Sequence, residues 1–134
     1  MAMFNNIYKN IINKVQKNLT VSEILTMRSV PVIILPSVSG KTYCILGGQA
    51  KLIGGSTPYN RNDKIHVVDF NVDINLPIAR FSFSINSGEN SNGLQIINSN
   101  LSNNIGSEIY LKLSGGDPTT GDLEYQITIF YSLL

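Results

Sequence analysis

Residues 123–131 narrow most sharply what this chain can fold into. Leu123, Tyr125, Ile127, Ile129 and Tyr131 alternate there with Glu124, Gln126, Thr128 and Phe130. A period of two sends the two sets to opposite faces of an extended strand, a sorting no helix performs. The pattern recurs along the chain. Phe81, Phe83 and Ile85 alternate with Ser82 and Ser84. Residues 64–72 also alternate, and the set His66, Val68, Phe70 and Val72 reads as the more buried side. Pro31 and Pro36 bracket Val32-Ile33-Ile34-Leu35; a proline cannot donate to a ladder, so this is a short strand with defined ends. Residues 41–53 read as one long strand interrupted at Gly47-Gly48, and 94–97 and 109–113 as further short strands.

Turn chemistry separates these runs at 37–40, 54–60, 75–77 and 115–122, with a polar loop at 86–93. A short helical turn is expected over 22–27, with Thr20 or Ser22 as its N-cap. The sum is about seven to nine short strands and little helix, which predicts an all-β chain, an antiparallel β-sandwich or jelly roll.

The N-terminus has a different rhythm. Phe4, Ile7, Tyr8, Ile11, Ile12 and Val15 recur every three to four residues, with Asn and Lys between them. That spacing predicts a short amphipathic helix or arm over 1–18, ahead of a β-domain over 19–134. Its asparagines weaken helix propensity, so it needs a partner surface. These six residues are the candidate docking and assembly interface. From about Lys14 the spacing loosens, and Val15, Leu19 and Val21 also suit an extended segment.

Composition limits the function. Among the 134 residues, 14% are charged, against about 25% in a typical domain. With 43% hydrophobic residues the chain can build a core and does not read as disordered. A net charge of +1 and no basic stripe interleaved with aromatics argue against nucleic acid as a partner. No run approaches the ~18 apolar residues of a membrane span, and residues 1–15 lack the apolar stretch of a secretory signal. No membrane partner and synthesis in a cytoplasm are the expectations.

Catalytic and metal chemistry find few carriers. Cys44 sits in an apolar run and is expected to be a buried small hydrophobe rather than the thiolate of a dyad with His66. One Cys and one His do not make a metal site. Neither Gly47-Gly48 nor Gly54-Gly55-Ser56 matches a phosphate loop, and no nucleophile elbow is present. Asp117 and Asp122 flank a glycine-rich turn and could hold calcium weakly, although Asx-turns account for them more simply. No enzyme activity, no metal and no cofactor are expected. Tyr59 and Arg61, in a loop, are the candidate glycan contacts under an alternative reading, a β-sandwich carbohydrate-binding module.

Several segments in order resemble a known pattern: Ser22-Glu23-Ile24-Leu25, then Ser29-Val30-Pro31-Val32-Ile33-Ile34-Leu35-Pro36, then the Gly40-Lys41 turn. The Gly55-Ser56-Thr57-Pro58-Tyr59 loop, Ile109-Tyr110-Leu111-Lys112-Leu113, the glycine-rich turn and the last strand closing on Tyr131 complete it. Over about residues 19–134 the chain resembles small virion-associated β-sandwich proteins of tailed bacteriophages. The resemblance implies a structural protein made in the host bacterial cytoplasm and resident in the virion, as a head decoration, head-fibre or accessory component. It implies no catalysis. Its partners would be other virion proteins, whether capsid, portal-proximal or fibre subunits, and further copies of itself; a trimer would suit a capsid three-fold or a fibre. The amphipathic arm lies outside the resemblance.

Overall fold

The computed structural model describes residues 12–69, 81–86, 91–93 and 108–134. Eight strands and one short helix follow in the order β1 (Asn13–Leu19), α1 (Val21–Leu25), β2 (Val32–Leu35), β3 (Tyr43–Gly54), β4 (Lys64–Asp69), β5 (Phe81–Ser84), β6 (Ser91–Gly93), β7 (Ile109–Leu113) and β8 (Glu124–Leu133). They form two four-stranded sheets, ordered β1-β8-β3-β6 and β2-β7-β4-β5. All the pairings within them are antiparallel. The fold is therefore all-β.

Strand β8 organises the first sheet. It pairs along its length with β1 on one side and β3 on the other. Tyr125, Ile127 and Ile129 are buried, as the alternation predicts. They join one apolar cluster with Leu19 of β1, Ile45 and Ala50 of β3, Ile65 and Val67 of β4, Phe83 of β5, and Leu111 and Leu113 of β7. Both sheets thus contribute one face to a common core. The long strand β3 carries register shifts between Ile45 and Gly47 and between Leu52 and Gly54. At each shift the pairing to β8 slips by one residue and then resumes.

Three expectations change. The helical spacing of the N-terminus does not extend through Val15. Residues 13–19 are strand, with Val15 opposite Ile129 and Leu19 opposite Tyr125, because pairing to β8 satisfies the backbone that asparagines would leave poorly helical. On β4 Ile65 and Val67 enter the core cluster; of the set expected to be more buried, Val68 is buried outside that cluster, His66 is half-buried, and Phe70 and Val72 lie outside the described residues. The polar loop expected over 86–93 contains β6, whose pairing with Gly48, Gln49 and Ala50 of β3 does not depend on apolar residues. The strand expected at 94–97 lies outside the described residues.

Helix α1 has both halves of a capping box. The Glu23 amide donates to Thr20 Oγ1 at 3.2 Å, and the Thr20 amide donates to Glu23 Oε1 at 3.1 Å. Lys17 of β1 pairs with Glu23 at 3.1 Å, tying strand to helix. Thr20→Ala should lower stability by about 1 kcal/mol in urea denaturation, with an unchanged dependence on denaturant.

Candidate interaction surface

Among the described residues, the connections 20–31, 55–63 and 114–123 and the pair Ile85-Asn86 after β5 meet at one end of the fold. Side chains of Asp and Asn hold them together. Asp117 Oδ1 accepts the amides of Arg28 (2.7 Å) and Ser29 (3.2 Å), and Oδ2 accepts the Ser29 hydroxyl (2.5 Å). Asp122 Oδ1 accepts the amides of Ser56 (2.8 Å) and Thr57 (2.6 Å). Asn60 Oδ1 accepts the amides of Thr119 and Thr120. Asn86 accepts the Tyr59 amide and donates to the carbonyls of Tyr59 and Arg61. Asp117 and Asp122 therefore act as acceptors for backbone amides of other loops. Among the described residues no three His, Cys, Asp or Glu side chains gather as metal ligands would.

These bonds set the titration of both carboxyls. Desolvation raises Asp117, but the Ser29 hydroxyl and the amides of Arg28 and Ser29 outweigh it and hold the carboxyl below its usual range. The amides of Thr57 and Ser56 lower Asp122. A depressed carboxyl binds fewer protons in the folded chain than in the unfolded one. Its contribution is present above the unfolded value, about pH 4, and is lost as pH falls through the lower folded value. Melting temperature should therefore drop below about pH 4. Asp122→Asn should melt lower than the parent at pH 7 and show a shallower acid decline.

The two candidate glycan contacts, Tyr59 and Arg61, are placed differently, one buried and one exposed. Tyr59 is only 4% exposed and belongs to the core. Its hydroxyl donates to the Leu123 carbonyl at 2.5 Å. Burial first, then the neighbouring Tyr125, Asp122 and Glu124, push the hydroxyl far above the ordinary tyrosine range. Arg61 is exposed, bonds Asp63 at 2.6 Å and lies over Gly115 and Gly116. With its ring turned inward, Tyr59 offers no aromatic platform beside the guanidinium.

Cys44 and His66 lie on different sheets, β3 and β4. Each flanks core residues in its own strand: Tyr43 and Ile45 for the thiol, Ile65 and Val67 for the imidazole. By alternation both point away from the core, on opposite outer faces, and they form no dyad. Cys44 is half-buried rather than a core residue.

Of the proposed docking residues, Phe4, Ile7, Tyr8 and Ile11 lie outside the described residues. Ile12 is 63% exposed at the entrance to β1, and Val15 is half-buried against the core. Val15 belongs to the sheet with the rest of β1, and Ile12 is described just outside it.

Two broad surfaces remain. The outer face of the first sheet is mostly uncharged polar groups, interrupted by Lys14 and Lys51. Gln16, Thr128 and Gln49 lie in one cross-strand row, and Asn18, Gln126 and Lys51 in the next. Gln16 Nε2 donates to Thr128 Oγ1 at 3.2 Å, and Gln126 Nε2 donates to Asn18 Oδ1 at 3.1 Å. Phe130 stands in this face between Lys14 and Gly47. On the second sheet, Pro31, Ile33, Glu108 and Tyr110 line a shallow groove of about 210 Å³, with Ile33 55% exposed. Neither surface was identified from the sequence, although the even-numbered residues of β8 carry the signal for the first.

Comparison of the chain with protein-family models, with curated proteins and with solved structures gives no match.

Proposed function

We propose that this chain is a non-enzymatic structural protein of a bacteriophage virion, a capsid decoration or a head-fibre or accessory subunit, folded as a jelly-roll sandwich and held by contacts between subunits. The observation that carries the reading is the strand order. Strand β1 lies beside β8, β2 beside β7, β3 beside β6 and β4 beside β5, and these pairs alternate between the two sheets. An antiparallel ribbon wrapped around a core produces that order, which supports the jelly-roll reading. Viral capsid domains and lectins use this architecture, and architecture alone does not choose between them.

The surfaces favour the structural reading. A subunit interface buries polar groups cheaply when they are uncharged and can pair, whereas unpaired charge is costly. The row of Gln16, Thr128 and Gln49 meets that condition, the next row sets one charge, Lys51, beside Asn18 and Gln126, and the charge of the whole chain is low. The carbohydrate reading loses the exposed tyrosine it needed.

Mass spectrometry of purified virions, with copy number, tests the proposal. The chain is expected there in a fixed number of copies matching a capsid or fibre symmetry. Its absence from virions, together with a monomeric mass in solution at high concentration, would refute it.

A further inference from the structure

A different pattern occupies the outer face of the second sheet. On β4 the side chains of Ile65 and Val67 enter the core, so Lys64 and His66 point outward. Ser82 of β5 and Lys112 of β7 lie directly opposite His66, one on each side. Ser84 lies opposite Lys64. Ser114, just past β7, donates its amide to the Lys64 carbonyl at 2.9 Å and accepts the Lys64 amide on Oγ at 3.0 Å. Opposed residues on one face have Cβ atoms about 4.5–5.5 Å apart, so two lysines, an imidazole and three hydroxyls share a patch about 10 Å wide.

Arg28 adds a further charge from the connection before β2, with Nη1 bonded to the Leu113 carbonyl at 3.2 Å. The acidic groups nearby are engaged elsewhere. Asp63 pairs with Arg61 at 2.6 Å, and Asp117 is occupied by Ser29 and the amides of Arg28 and Ser29. His66 Nδ1 and Ser82 Oγ are 2.6 Å apart, which fixes the ring and leaves Nε2 to meet a ligand.

We propose that this patch binds a tetrahedral dianion, a sulfate or phosphate group, either free or carried on a sugar. The cations neutralise its charge; Ser84 and Ser114, whose oxygens accept the amides of Asn86 and Lys64, keep a hydroxyl hydrogen to donate, and Nε2 donates when Ser82 is the donor to Nδ1 or when the imidazole is protonated. The titration of His66 agrees with a concentrated positive field. Burial first, then Lys64 and Arg28, lower its pKa, and Asp63 opposes them. A bound dianion would reverse that field and raise it.

His66 is the only histidine in the chain, so its imidazole resonances report on the patch directly. Its pKa is to be measured by NMR in sodium sulfate and in sodium chloride of equal ionic strength. Sulfate stays dianionic across the titration. The expected result is a saturable rise of about half a pH unit or more in sulfate over chloride. The Lys64→Gln/Lys112→Gln double variant, with its fold checked by amide shifts, should lose the difference. Competition of inorganic phosphate and glucose 6-phosphate against sulfate then tells a free ion from an ester, whichever displaces it at lower concentration. An equal rise in the two salts, or a rise unchanged in the double variant, overturns the proposal.

Discussion

Tyr59→Ala should lose about 3–5 kcal/mol of stability, the range for removing a large aromatic side chain from a core. The ring is buried against Gly121, whose φ of +126° lies in a region that favours glycine. A Cβ at Gly121 would collide with the Tyr59 ring and backbone, so the two positions fit only as a pair. Tyr59→Phe keeps the ring and removes the donor from the Leu123 carbonyl. It should cost about 1–2 kcal/mol, the penalty for a buried acceptor left without its partner. Arg61→Ala, removing an exposed ion pair, should change stability by less than about 1 kcal/mol. Denaturant titration of the three variants separates a core strut from a surface residue. A nearly neutral Tyr59→Ala would mean that the ring does not hold the loop end together.

Tyr59 also illustrates what the sequence could reveal. Its loop position was legible from the glycines and the proline around it, but its inward turn was not. That turn depends on Leu123 and Gly121, which reach it only through the pairing of β3 with β8. The same limit applies to Asp117, whose partner Arg28 is 89 residues away. Elements with local causes were legible. Pro31 and Pro36 bounded β2, Thr20 or Ser22 marked the start of α1, with Thr20 proving to be the cap, and the alternation of β8 gave its buried face. On β4 the period was right, but the residues that enter the core cluster, Ile65 and Val67, are on the other face. Val68 is 2% exposed on the side opposite Ile65 and Val67, so both sides of that strand carry buried apolar residues and hydrophobicity alone does not choose between them. The start of β1 failed for a related reason. Its Asn and Lys residues have weak local preference, and its strand state comes from pairing with β8.

That pairing decides how the proposed docking arm must be tested. Removing residues 1–11 leaves β1 intact from Asn13 and should leave the melting transition within a few degrees of the parent, since no described core residue is lost. If those residues dock the subunit, the shortened chain should remain monomeric where the full chain assembles, and should fail to enter particles. Removing residues 1–19 is a different experiment. It deletes Leu19, fully buried in the core, and Val15 packed beside it, and it strips one edge of β8 of its partner. The loss of one buried and one half-buried side chain and a seven-residue ladder should cost about 5 kcal/mol or more, comparable to the whole stability of many domains. That chain should be unfolded or aggregated, because the bared edge of β8 offers unpaired backbone next to Ile127 and Ile129. A cut within β1 would mix the two effects and make a folding defect resemble a docking defect. Circular dichroism and sedimentation on both truncations keep them apart. Normal assembly by the chain lacking residues 1–11 would remove the arm from the proposed interface and leave the polar face of the first sheet as the surface to test.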